Sequence, residues 1–237
     1  VNQFSAPYLA HEYFLARTRI TELLVDAPAE WATLPVPTCP AWNVHDLVAH
    51  VSGIAAEIVR GNGPGADSQA WVDSIVDERR GIPLHGLLDD WSAMGPVFEE
   101  MAAETRRLAV PLSYDTVVHE HDLRHAIKRP GARDASGVMS SMEVAVWLMT
   151  NDLDRRGFGR VSFRAGGRTW ECGSGDLRLE LDLDSVALGV PPVWELLRLS
   201  GSRRSFSQAA RLPWKGDFPD GLAALLHMDL PVTDIVE

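Results

Sequence analysis

Between Ser113 and His125 the chain places three histidines (His119, His121, His125) and three acids (Asp115, Glu120, Asp122). Read as a helix, this stretch sets Asp115 and His119 four residues apart, one above the other on a single face. Val118, Asp122, Leu123 and Ala126 fall on or beside that face. A carboxylate and an imidazole on a partly apolar face are costly to bury unless something pairs with them. A divalent metal is one such partner, and an i, i+4 pair offers it two ligands. Two ligands are too few, so a third must come from elsewhere.

His50 is the candidate. Asn43 is a good N-cap, with Asp46 three residues on as the acid of a capping box, and Gly61 to Gly65 supply the stop near Arg60. Leu47, Val51, Ile54 and Ile58 form the inward stripe of that helix. His50 flanks the stripe, whereas His45 falls on another side and is expected in solvent. His50, Asp115 and His119 would leave one coordination position open, the pattern of a catalytic rather than a structural zinc. Asp122 is placed to orient a ligand histidine from behind. His121 is a rival ligand whose helical phase points away from Asp115. Glu120, His121 and His125 are expected on a solvated face. Each of these residues also has an ordinary role, as a hydrogen-bonded core histidine or a local helix pair. Cys39 precedes a helix N-terminus that would lower its pKa, but Pro40 and Trp42 favour a packed lead-in turn. Trp42 and Trp214 are candidate pocket walls.

The elements that must carry these residues are mostly helical as far as Gly157. Apolar spacing predicts helices over 8–25, 43–60, 69–80, 87–108, 113–128 and 139–156, with a kink at Gly95-Pro96. Val144, Trp147, Leu148 and Leu153 are expected to face inward on the last of these. Long helices with short connections predict a four-helix bundle over 1–157. Beyond it the pattern changes. Ala165-Gly166-Gly167 reads as a hairpin turn between 161–164 and 168–170, and 177–183 alternates as a half-buried strand does. Helical segments at 191–199, 207–211 and 222–227 and a last strand at 232–237 complete a small α/β domain over 158–237. The fold class is therefore α+β.

Composition narrows the function. The chain has 237 residues, 46% of them hydrophobic, and a net charge of −11. That balance disfavours nucleic acid, whose phosphates need a basic surface, and anionic membranes. Two cysteines, Cys39 and Cys172, give no disulfide framework and suit a reducing cytoplasm. No apolar run reaches a membrane span. The stretch Val1–Phe14 lacks the basic start and apolar run of a signal peptide.

Three segments give the chain a resemblance. They are Cys39 to His50; Asp115 to Arg124 with Arg129 to Asp134; and Trp194 to Arg204 with Trp214 to Asp217. Together and in this order they resemble the mycothiol-dependent maleylpyruvate isomerase family. The resemblance implies a DinB-like metal-binding four-helix bundle followed by a small α/β domain similar to sterol carrier proteins. The family's second-helix histidine falls on His50, and its acid-x-x-x-His pair on Asp115 and His119. The isomerase itself has Glu where this chain has Asp115, one methylene shorter. The family also uses an arginine of the second domain, for which Arg203 and Arg204 are the nearest matches; on sequence alone they read as surface charges.

The expected function is a metal-dependent enzyme. Zinc is the divalent ion that a mixed imidazole and carboxylate set suggests. The resemblance adds mycothiol as cosubstrate, for isomerisation or S-transfer on a small electrophilic substrate. Arg203 or Arg204 would hold a carboxylate of substrate or cofactor. Two other readings stand beside it: a thiol-independent metal hydrolase, and a non-catalytic small-ligand or regulatory module on the same fold.

Overall fold

The computed structural model describes residues 4–216 and 230–237. Local capping chemistry sets where the first helices begin. Ser5 Oγ accepts the N–H of Tyr8 and opens α1 (Ala6–Leu24), with Pro7 in its first turn. At α2 (Val44–Val59) the capping box is complete: Asn43 Oδ1 accepts from Asp46 N–H at 2.9 Å, and Asp46 Oδ2 from Asn43 N–H at 3.2 Å. Asp67 caps α3 (Ser68–Arg79). The next break falls at Thr105 rather than between 108 and 113. Thr105 Oγ1 accepts the N–H of Arg107, separating α4 (Leu84–Glu104) from α5 (Arg106–Ala126). Pro96 and Pro111 lie inside these helices and end neither.

In the compact unit Val1–Gly131, α1 packs on α4 and α5, and α2 packs on α3, α4 and α5. The buried surface includes Trp91, whose Nε1 donates to the Tyr13 hydroxyl at 2.7 Å, and Phe98, 4.8 Å from the Tyr13 ring. Two close approaches depend on glycine. A Cβ on Gly95 would meet Arg17 Nε at 2.5 Å, and a Cβ on Gly53 would meet Ile75 Cγ2 at 2.3 Å and Arg79 Nε at 2.8 Å. The first lets Arg17 lie on α4 and pair with Glu99 at 2.7 Å; the second seats α2 directly on α3.

The second compact unit runs Ala132–Glu237 and begins with α6 (Ser136–Arg156), which ends on Gly157 in the left-handed conformation. The expected boundary at 157 lies one helix further along the chain than this division. Val138, Met142, Ala145, Met149 and Leu153 make the buried stripe of α6. Trp147, expected inward, is out of phase with them and exposed. β1 (Arg160–Ala165) and β2 (Arg168–Cys172) form the expected hairpin, with Gly166 and Gly167 both at positive φ as its tight turn needs. β3 (Leu177–Asp182) pairs with β1 in parallel. β4 (Trp214–Gly216), not foreseen in the sequence, pairs antiparallel with β3. The result is a four-stranded mixed sheet in the order β2-β1-β3-β4, accompanied by α7 (Pro192–Ser200) and α8 (Phe206–Ala210). The chain is thus α+β: a mostly helical N-terminal region and a small C-terminal sheet.

The strand expected at 232–237 does not form. The segment is held instead by side chains: Gln208 exchanges hydrogen bonds with both the N–H and C=O of Ile235, and Asp234 accepts from Ser205 and Arg211. The helix expected at 222–227 lies outside the described residues.

Candidate metal centre

The N-terminal unit brings the three candidate ligands read from the sequence together. His50 Nε2 lies 3.2 Å from Asp115 Oδ2, and His119 Nε2 lies 3.5 Å from Asp115 Oδ1. The imidazoles meet edge to face with centroids 5.0 Å apart. Bonds of about 2.0–2.1 Å to a tetrahedral ion put neighbouring ligand atoms about 3.3 Å apart, so this donor set fits such an ion. Helical geometry explains why. Asp115 and His119 stack because they are one turn apart on α5, and His50 reaches them because α2 packs on α5. Both histidines are buried, while 31% of the Asp115 side chain stays accessible.

Behind His119 the environment is polar. Its Nδ1 lies 2.9 Å from Asp122 Oδ2, the backing arrangement expected for a ligand histidine. Asp122 is fully buried, and the Cys39 thiol approaches the same oxygen at 3.8 Å. Cys39, His119 and Asp122 therefore form a second group of converging ligand atoms, sharing His119 through its other nitrogen. Among the described residues the buried Nδ1 of His50 meets no comparable carboxylate. Trp42 covers both imidazoles, with centroids 4.8 Å from His50 and 5.8 Å from His119. A pinched loop positions Trp42 and Cys39 together. Val36 N–H donates to Trp42 C=O, Val44 N–H to Leu34 C=O, and Trp42 N–H to Cys39 C=O.

The electrostatics follow from this packing. Burial works against the charge of Asp115, but the imidazoles of His50 and His119 outweigh it and hold the carboxyl well below the usual range. Burial likewise works against a charged His119, but Asp115 and then Asp122 hold its pKa well above 6.5. In the metal-free protein His119 therefore carries a proton above pH 6.5 that an ion must displace. Between that pH and the raised pKa, binding should release about one proton, and affinity should rise about tenfold per pH unit. A metal titration in weakly buffered indicator solution measures this, and pH-independent binding would contradict the assigned ligand.

Several expectations need correction. Glu120 and His121 are not on a solvated face; both are buried. Glu120 receives Nε and Nη2 of Arg19 at 2.6–3.0 Å and Nε of Arg124 at 3.0 Å. His121 belongs to neither group of converging ligand atoms among the described residues. His45 is not solvated either, its Nε2 lying 2.7 Å from Ile82 C=O. Cys172 is buried on β2, and burial pushes its thiol up to about 12. Trp214 packs against Phe163 in the second unit.

Arg203 and Arg204 are not surface charges, because both are buried in the second unit. Arg204 forks onto Glu195 with two bonds of 2.7 Å and gives Nη1 to Glu237 at 2.6 Å. Arg203 donates Nη1 to Gly201 C=O.

Residues 13–124 match the family model described as Mycothiol maleylpyruvate isomerase N-terminal domain. The matched span lies within the first unit and includes Cys39, Trp42, His50, Asp115, His119 and Asp122. No curated protein and no solved structure matches the chain.

Proposed function

We propose, from the place of residues 13–124 in the mycothiol maleylpyruvate isomerase N-terminal domain family, that this protein is a metal-dependent enzyme using a small thiol, mycothiol, on an electrophilic substrate. The observation that carries the reading is the convergence of His50 Nε2, His119 Nε2 and the Asp115 carboxylate. On this reading the helical unit is DinB-like and the second unit is similar to sterol carrier proteins.

Zinc suits this donor set. When bound, the ion supplies an open coordination position at which a thiol loses its proton near neutral pH. The chain's own residues do the rest. His50 and His119 present neutral Nε2 lone pairs, and Asp115 brings the one negative charge. Its accessible side leaves room for an incoming ligand. Asp122 takes the Nδ1 proton of His119 as a hydrogen bond and so fixes which nitrogen faces the ion. Trp42 shields the two rings from water on one side.

The test is turnover of a small conjugated electrophile by zinc-loaded protein with and without mycothiol. Isomerisation or adduct formation that requires both thiol and metal is expected. Turnover that needs metal but no thiol would move the assignment to hydrolysis. No turnover with intact metal binding would leave a binding module.

A further inference from the structure

In the metal centre His119 presents one ring nitrogen, and its other nitrogen faces a second set of donors. Nδ1, the Asp122 carboxylate and the Cys39 thiol converge there. Nδ1 and Asp122 Oδ2 are 2.9 Å apart, and Cys39 Sγ is 3.8 Å from the same oxygen. Nδ1 is buried, and among the described residues it makes no well-aligned hydrogen bond: its contact with Asp122 is short but bent. Asp122 is fully buried, and Cys39 is half-buried on the pinched loop.

These donors suit an ion as well as a proton. A tetrahedral ion with bonds of about 2.3 Å to sulfur and about 2.0 Å to oxygen or nitrogen sets sulfur and oxygen about 3.5 Å apart, and nitrogen and oxygen about 3.3 Å apart. The two contacts lie close to these spacings, one slightly longer and one slightly shorter. The set contains sulfur, which the first group lacks, and a thiolate ligand favours thiophilic ions. Filling it displaces two protons, one from Cys39 and one from Nδ1, and places two positive ions on one ring. Zinc at one equivalent therefore goes to His50, Asp115 and His119, and only an ion that gains enough from sulfur fills the second group.

We infer that Cys39, His119 and Asp122 form a second metal site, for a thiophilic divalent ion, and that His119 bridges the two sites with Nε2 on one ion and Nδ1 on the other. The Nδ1 proton leaves to solvent, and the second ion takes its place against Asp122. Only the first ion rests on the metal-centre reading; the second needs neither mycothiol nor turnover.

Cadmium tests it, added to the reduced, zinc-loaded protein. The ultraviolet thiolate-to-cadmium absorption band should rise and saturate, and elemental analysis should then find about two ions per chain in place of about one. Cys39→Ser should lose the band and the second ion and keep the zinc, which also shows that the variant is folded. If Cys39→Ser does not fold, Cys39→Ala is compared in the same way. Cys172→Ala, which removes the other cysteine, should keep the band. His50→Ala should lose the zinc and keep the band. Zinc content before cadmium is added reports the first group and the band reports the second, so the two readings fail separately. Absence of the band in wild type, its survival in Cys39→Ser, its loss in His50→Ala, or its growth only as zinc leaves one ion for another would each overturn the second site.

Discussion

His119→Ala should leave the protein without metal. Wild type loaded with zinc is expected to hold about one ion per chain, and loss of a direct ligand should weaken binding by more than the roughly 10–100-fold that loss of a backing residue costs. His50→Ala should do the same, because its Nε2 and that of His119 face one carboxylate. Asp122→Asn should fall between, weakened about 10–100-fold, since it keeps the ligands and changes only what holds His119 from behind. Elemental analysis with competitive chelator titration reads all three. The pattern also separates the two groups that share His119. Metal lost in His119→Ala but kept in His50→Ala would put the ion between Cys39, His119 and Asp122. Metal kept in both would remove the assignment altogether.

The second large effect concerns Glu120. Its carboxylate is completely buried and is the shared partner of Arg19 from α1 and Arg124 one turn along α5. Glu120→Ala should destabilise the N-terminal unit by about 2–4 kcal/mol. Breaking a buried pair strands a charge, though here Arg19 can partly turn to water. Glu120→Gln should also be costly, because one neutral amide cannot accept from two guanidinium groups as a carboxylate does. Chemical denaturation followed by circular dichroism measures both. A change below about 1 kcal/mol would show Glu120 to behave as a surface residue.

The contrast between these two sites shows what could be read from sequence. The Asp115–His119 contact follows from helical spacing alone, and His50 from its phase against Leu47 and Val51. The capping box that starts α2 was equally legible. Glu120 and His121 were not, because a polar stretch looks solvated until its partner is known, and Arg19 lies 101 residues away. Arg204 misled for the same reason: its burial depends on Glu195 and Glu237. Cys39 joins Asp122 only through the fold of the pinched loop, which spacing does not encode. The division of α4 from α5 at Thr105 was hidden because Gly95-Pro96 looked like a stronger breaker than a threonine cap.

Gly53 lies less than one turn from His50 on α2, and its missing side chain is what lets that helix rest on Ile75 and Arg79. The position touches no ligand atom, yet it sets the seat of the helix that carries one. For a designer varying this protein, the tolerance of position 53 is a matter of fit rather than chemistry. Even a single methyl would push α2 away from α3, and His50 would travel with it. The candidate ligand set therefore has a silent member, one that contributes only by taking up no room.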